Sequence, residues 1–389
     1  MRIPALILAL AGAPALAQTA PCGGDFAAFK AGLAAEAPAY GIPQATAEAF
    51  LSGIGRDESV LAADRRQGHL QRDFVEFSRR LISQSRLNNG ARYASQYDAI
   101  FNRIAADYGV PRGILLAFWA FETDFGQVQG DFNTANALVT LAHDCRRPDL
   151  FRPQVFAAMA LHERGDFDPA RTTGAWAGEI GQVQMLPRDI LENGMDGDGD
   201  GHVTLKTSAP DALLSAGRML SGLGWAPGQP WLQEVILPAE MDWSLSGLDR
   251  QMPAADWAAM GVSARTGQLA DLPASLLLPV GRKGPAFLAY PNFHVLFEWN
   301  ESLVYVTTAA YFATRLEGAP IFANADAFEA GLTGEEMEAL QARLAALGHD
   351  VGGIDGILGE KTRAAVQAEQ RRLGMAADAW PTRVLLDAL

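Results

Sequence analysis

Val110-Pro111-Arg112-Gly113-Ile114-Leu115-Leu116-Ala117-Phe118-Trp119-Ala120-Phe121-Glu122-Thr123-Asp124-Phe125-Gly126 is the stretch around which the rest of the chain arranges itself. It predicts a helix. Pro111 suits the first turn, where an N–H is not needed, and Gly126 suits the position just past the end. Between them the side chains are apolar on almost every side, the pattern of a helix buried all round. Glu122 stands near the end of this run. Desolvation there favours the neutral carboxyl and raises its pKa, and a carboxyl protonated near neutrality is what a general acid requires. The same residue also fits a surface position, or an ion pair with Arg146 or Arg147, and the stretch alone leaves these readings open.

The 389 residues around this helix are enough for two or three domains. An apolar content of 49% with 20% charged residues describes a globular chain, not a disordered one. A net charge of −14 argues against nucleic acid or an anionic membrane surface as the main partner. Arg2, the apolar run 3–16 and the small-x-small site Ala15-Leu16-Ala17 read as an export signal cleaved after Ala17, which sets residues 1–17 apart. That run is too short to span a membrane and no longer one follows, so the mature protein is expected to be soluble and not membrane-spanning. Cys22 follows Pro21 with no small-residue lipid box before it, so no lipid anchor is expected. Cys22 and Cys145 are the two cysteines; in an oxidising compartment they form either one disulfide or two free thiols.

Residues 26–87 read as amphipathic helices broken at Gly41-Ile42-Pro43 and Gly53-Ile54-Gly55. Asn88-Asn89-Gly90 reads as a turn, and 93–108 as one helix ended by Gly109. Further helices are expected at 133–143 and 152–164. Residues 172–187 are dense in glycine and small side chains, a composition that lets backbone approach a helix or a ligand closely. A short helix is expected at 212–220. Strands are expected at 235–237, 275–280 and 286–290, with Gly281-Arg282-Lys283-Gly284-Pro285 as a hairpin turn. After a boundary between Gly318 and Gly331, Thr333-Gly334-Glu335-Glu336 is a capping box opening a helix with Met337, Leu340, Leu344 and Leu347 on one stripe. Helices at 360–373 and 381–389 complete a three-helix tail.

Asp196-Gly197-Asp198-Gly199-Asp200-Gly201-His202-Val203 has carboxylates at alternate positions and a glycine at the sixth, as a calcium loop does. Thr207 occupies the twelfth position, where a bidentate glutamate is usual, and Asp211 four residues on is placed to close a longer loop. Asp196, Asp198, Asp200, His202 and Asp211 are therefore the candidate ligands of a structural calcium ion; a solvated acidic turn is the alternative. Neither His-Glu-x-x-His, Cys-x-x-Cys, Gly-x-Ser-x-Gly nor a phosphate loop is present, so a zinc hydrolase, a serine hydrolase and a nucleotide enzyme are disfavoured. No cofactor is expected for the chemistry.

Taken in order, several stretches resemble the membrane-bound lytic transglycosylase B family, which cleaves peptidoglycan. They are Tyr108-Gly109-Val110-Pro111, Phe121 to Gly126, Trp176-Ala177-Gly178 through Gln184 and Pro187, Asp196 to Val203, Pro210-Asp211-Ala212 with Gly224-Trp225, and Pro291-Asn292-Phe293 through Trp299-Asn300-Glu301-Ser302. The tail resembles the type 1 peptidoglycan-binding domain through Leu340-Gln341, Leu347-Gly348, Ile354 to Gly359 and Thr362 to Val366. The resemblance implies a mainly α protein: a lysozyme-like α+β catalytic domain over 18–325 with a small β-hairpin region, then a three-helix peptidoglycan-binding domain over 332–389. It implies that Glu122 protonates the bond between N-acetylmuramic acid and N-acetylglucosamine. The same group then takes the proton of the muramic acid 6-hydroxyl as that oxygen attacks C1, giving a 1,6-anhydro sugar. Gln184, Asn300 and Tyr305 are implied as substrate-binding residues, and Trp299, where the family usually has Tyr, as a sugar-stacking one. It also implies the periplasm, with peptidoglycan glycan strands as partner and the cell-wall synthesis or division machinery as the setting. Two departures stand out: Ala175 where the family commonly carries Ser, and Glu179 where a small apolar residue is usual. They keep a hydrolytic muramidase and a catalytically impaired wall-binding scaffold as the alternatives.

Overall fold

The computed structural model describes residues 21–66 and 72–389; the export signal and its expected cleavage site after Ala17 lie outside them. Helices dominate, with small antiparallel sheets, and among the described residues no helix is long and apolar enough to cross a membrane.

The chain forms two compact units, of which the first combines residues up to 65 with 130–179 and 186–191. Its helices include Phe26–Glu36, Gln44–Ser52, Glu58–Arg65, Thr134–His143 and Pro148–Glu163. Asp25 and Asn133 cap two of them with side-chain oxygens that accept from N–H groups the helix cannot satisfy itself. Thr134–His143 is buried at every position but one, which makes it the centre of this unit. Cys22 and Cys145 are joined by a disulfide with their Cα atoms 5.3 Å apart. Asp64, 1% exposed, is held by both Arg146 and Arg147. A buried carboxylate needs such partners, and these are the two arginines considered above for Glu122.

The second unit comprises 66–129, 180–185 and 192–389. The Glu122 helix is Arg112–Thr123, and Gly113 to Ala120 is wholly buried in it. Pro111 is its N-cap rather than its first turn. The helix stops three residues before Gly126, because Asp124 and Phe125 both take left-handed backbone angles, φ 51° and 61°. The Arg86 guanidinium holds Asp124 in that cap at 3.0 Å.

Asn88-Asn89-Gly90 is not a turn but the middle of helix Gln84–Gln96. A Cβ on Gly90 would lie 2.5 Å from Leu316 Cδ2, so this glycine serves the close approach of helix Leu303–Leu316. The break falls instead at Tyr97, which splits the expected 93–108 helix and leaves Asp98–Tyr108 beyond it.

A five-stranded antiparallel sheet runs in the order Met252–Pro253, Pro273–Leu277, Phe287–Ala289, Leu232–Ile236, Ser263–Ala264. Leu277 pairs with Phe287 across the hairpin that the 281–285 turn signal predicts. Trp257, Leu276, Leu288 and Tyr290 form the core of the sheet.

The tail folds as Gly334–Ala346, Glu360–Arg372 and Arg383–Ala388 around Met337, Leu340, Leu344, Val366 and Leu385. Its capping box forms as expected. Leu347, expected on the apolar stripe, is 52% exposed, because the helix ends at that residue and turns it outward. The tail is joined to the sheet. Arg363 donates to the Pro279 carbonyl at 2.7 Å and Gln367 to the Ser246 carbonyl at 3.0 Å. Arg282 and Asp378 pair at 3.2 Å, and Ala376 packs against the sheet core.

Candidate active site

Glu122 lies in the last turn of its helix, half-buried, one turn beyond Phe118 on the same face. Two side chains distant in sequence converge on its Oε1. Trp299 Nε1 donates at 3.0 Å and the Tyr305 hydroxyl at 2.6 Å. Trp299 closes the short turn Leu296–Glu298, and Tyr305 sits in the first turn of Leu303–Leu316, which Ser302 caps. Aromatic packing fixes both donors: the indole stacks on Phe118 at 4.5 Å, and Phe121 meets the Tyr305 ring edge-on at 5.9 Å. Burial pushes the Tyr305 phenol well above its ordinary value, and the charge and hydrogen bond of Glu122 push it the same way. Arg86 opposes this from beside the Phe121 ring. Tyr305 is therefore a neutral, protonated donor across the physiological range. Donors favour the charged form of a carboxyl while burial favours the neutral one, so Glu122 sits between opposed influences.

Trp299 was expected to stack on sugar. One face of its ring is taken by Phe118 and its N–H by Glu122, so its clearest role in this structure is to hold the carboxylate. Gln184 takes a left-handed φ of 53° and donates to the Gly181 carbonyl at 2.8 Å. Asn300 accepts the Ser302 N–H at 2.9 Å. Both are half-buried, and these bonds are to the backbone of their own loops. The structure thus brings Glu122, Trp299 and Tyr305 together, and it shows Gln184 and Asn300 bracing loops.

Sequence reading missed Gln182. Its Oε1 accepts from Trp119 Nε1 at 3.1 Å, and its carbonyl accepts the Thr123 hydroxyl at 2.5 Å. Thr123 Oγ1 accepts in turn from the Gly126 N–H at 2.8 Å. This chain of bonds pins the end of the Glu122 helix. A Cβ on Gly126 would stand 2.7 Å from Gln182 Oε1, so the glycine is required by closeness as well as by its φ of 85°.

In the first unit, the Ala175 N–H donates to the Glu179 carbonyl at 3.0 Å. Burial raises the Glu179 pKa, against its own N–H, the Arg147 charge and the Ala177 N–H. Its Oε2 is buried without a hydrogen-bond partner. A second charge is avoided here by favouring the neutral acid.

In the acidic loop, Asp196, Asp198 and Asp211 place one ligand atom each within 4.8 Å of one another. Asp200 and His202 are exposed, as Asp198 is, and their side chains lie outside that group. Asp200 Oδ1 accepts the His202 N–H at 2.8 Å. Asp211 does close the longer loop, accepting from the Gly197 N–H at 2.9 Å and the Thr204 N–H at 2.7 Å. The Gly201 N–H leads the contacts that hold the Asp196 carboxyl below its usual range. Three converging hard oxygen donors fit a calcium ion.

Comparison with known proteins gives two family matches. Residues 25–314 match the family described as transglycosylase SLT domain, and 333–389 match the putative peptidoglycan binding domain. The membrane-bound lytic murein transglycosylase B of Escherichia coli (strain K12) is 28% identical over 236 residues, 60% of this chain. The match spans 64% of that relative's length, just under two thirds. Among solved structures, SltB3 from Pseudomonas aeruginosa in complex with NAG-anhNAM-pentapeptide has a TM-score of 0.85 and 34% identity, covering 94% of this chain and 99% of that one. The Escherichia coli lytic transglycosylase Slt35 in complex with calcium has a TM-score of 0.65 and 25% identity, covering 77% and 96%.

Proposed function

The chain belongs to the transglycosylase SLT domain family, and from that premise we propose that it is a lytic transglycosylase cleaving peptidoglycan glycan strands with Glu122 as acid and then base. The Glu122 carboxyl protonates the glycosidic oxygen between N-acetylmuramic acid and N-acetylglucosamine, and the C1–O bond breaks. The muramic acid 6-hydroxyl attacks C1 and gives its proton to the Glu122 carboxylate. The 1,6-anhydro sugar leaves, and the enzyme is restored without water entering the bond. An attack by the substrate's own hydroxyl asks for one group that changes role, where hydrolysis with an external water uses two carboxyls.

The observation that carries this reading is the pair of neutral donors, Trp299 and Tyr305, on one carboxylate oxygen. Charge appears on Glu122 when it gives up its proton, and donors already aimed at that oxygen stabilise the charge without reorganising. Gln184 and Asn300 are read as contacts to sugar and N-acetyl groups. The C-terminal module is read as the grip on the wall, and the export signal as placing the enzyme in the periplasm. Asp196, Asp198 and Asp211 would hold a structural calcium ion, which would rigidify the loop and take no part in bond cleavage.

Mass spectrometry of digested sacculi tests the chemistry. Anhydro-muramic acid ends are expected, and Glu122→Gln should abolish them. Reducing muramic acid ends alone would replace this reading with a hydrolytic muramidase. Equal and negligible release by wild type and Glu122→Gln, with both still binding sacculi, would leave a wall-binding scaffold.

A further inference from the structure

Within the second unit, a cavity of about 420 Å³ lies where the C-terminal helices meet the sheet region and helix Leu303–Leu316. Its walls are largely apolar, with Leu277, Leu278, Leu303 and Ala364 among them. Two polar features in it have no part in the chemistry at Glu122. Thr307, 1% exposed, lines the cavity, and its hydroxyl has no hydrogen-bond partner. Arg363 lines it too. Its terminal nitrogens are spent on the Leu278 and Pro279 carbonyls, while its buried Nε–H has no acceptor. Both groups are donors, and buried donors left without an acceptor are uncommon and costly.

The other feature is acidic. Asp249 and Glu360 line the same cavity and are both exposed to solvent. Desolvation, then the Asp249 charge and a hydrogen bond from one carboxyl to the other, raise the Glu360 pKa. The two acids come from the two sides of the junction and line the same cavity. Arg250 and Asp378 also line the cavity, and burial lowers the His294 pKa against the Asp249 charge.

We propose that this cavity is a second substrate site that binds the zwitterionic amino-acid end of a peptidoglycan stem peptide, its ammonium on Asp249 and Glu360 and its carboxylate on Thr307 and Arg363. An ammonium donates to two carboxylates at once. A carboxylate accepts from a hydroxyl and a guanidinium N–H together. The apolar walls suit the methylene chain of a diamino acid between these ends. The inference rests on the proposed action on peptidoglycan, and it adds that the enzyme reads the peptide as well as the glycan.

Calorimetric titration of the full chain tests it directly. The probe is a synthetic stem tripeptide ending in a diamino acid with free ω-ammonium and carboxylate. The control is the same peptide with that amine acetylated. The free amine is expected to bind at least tenfold more tightly, and Glu360→Gln to remove that preference while cleaving peptide-free glycan strands at the wild-type rate. Thr307→Val, which removes a hydroxyl nothing satisfies, should weaken binding about tenfold while raising the unfolding temperature. Equal affinity for the two peptides, no binding by wild type, or wild-type affinity in Glu360→Gln would overturn the site. Because binding is read without turnover, a protein that binds peptide but cleaves nothing would refute the proposed activity and leave the pocket standing. One that cleaves naked strands but binds no peptide refutes the pocket alone.

Discussion

Tyr305→Phe removes one oxygen atom and leaves the ring. The lost interaction is the 2.6 Å hydrogen bond to Glu122 Oε1, and the packing against Phe118 and Phe121 remains. A hydrogen bond to a charged group contributes about 1.5–3 kcal/mol, and each ~1.4 kcal/mol is a tenfold rate factor. The expected fall in kcat/KM is therefore about 10- to 150-fold. It should appear mainly in kcat, because the bond strengthens as Glu122 becomes charged during the reaction. The pH profile supplies an independent readout. A donor that favours the carboxylate is removed, so the limb governed by Glu122 should move to higher pH. Soluble glycan strands, assayed by release of anhydro products across pH, give both quantities. Trp299 still donates at 3.0 Å, so activity should not vanish. If Tyr305→Phe turned over at the wild-type rate with an unmoved profile, the two-donor account of Glu122 would be wrong.

Glu179→Gln should stabilise the protein at neutral pH. Burial raises the Glu179 pKa in the folded state, so the folded form binds the proton more tightly than the unfolded form. Wild-type stability from this group is therefore full at low pH and lost as pH rises through the folded pKa. Urea unfolding should show the variant's advantage shrinking to nothing below the ordinary carboxylate range, about pH 4. Removing residues 332–389 deletes the Arg363 and Gln367 bonds and uncovers sheet core at Ala376. Scanning calorimetry should report a loss of at least ~2–3 kcal/mol, together with loss of sacculus pelleting. Calcium at a hundred times its dissociation constant should raise stability by about 2.7 kcal/mol, an effect that chelator reverses and Asp198→Asn removes. An unchanged melting curve in all three conditions would show that Asp196, Asp198 and Asp211 bind no ion.

The elements most legible in the sequence were those whose signals are local. Pro111 and the apolar run after it announced the Glu122 helix, and the glycines at 281 and 284 announced the hairpin joining Pro273–Leu277 to Phe287–Ala289. Thr333 and Glu336 formed the capping box that their spacing predicts. The misreadings came where distant packing outweighed local chemistry. Asn88-Asn89-Gly90 has the composition of a turn, but Leu316 needs the empty side of Gly90, and the helix runs on. The resemblance pointed to Trp299 and Tyr305, yet nothing local in the sequence could reveal which atom they address, because they lie 177 and 183 residues from Glu122. Gln182 escaped notice for a similar reason. Half of what it does is done by its carbonyl, and a backbone group has no signature in the sequence.

That Arg363 reaches the carbonyls of residues 278 and 279, not their side chains, divides the mutational tolerance of the junction unevenly. Every amino acid carries the same carbonyl, so an exchange of either buried side chain for another apolar one leaves the acceptors in place. No such latitude exists on the opposite face, where the donors are the specific heads of Arg363 and Gln367. Homologous chains should keep Arg363 and Gln367 even where residues 278 and 279 are exchanged for other apolar side chains.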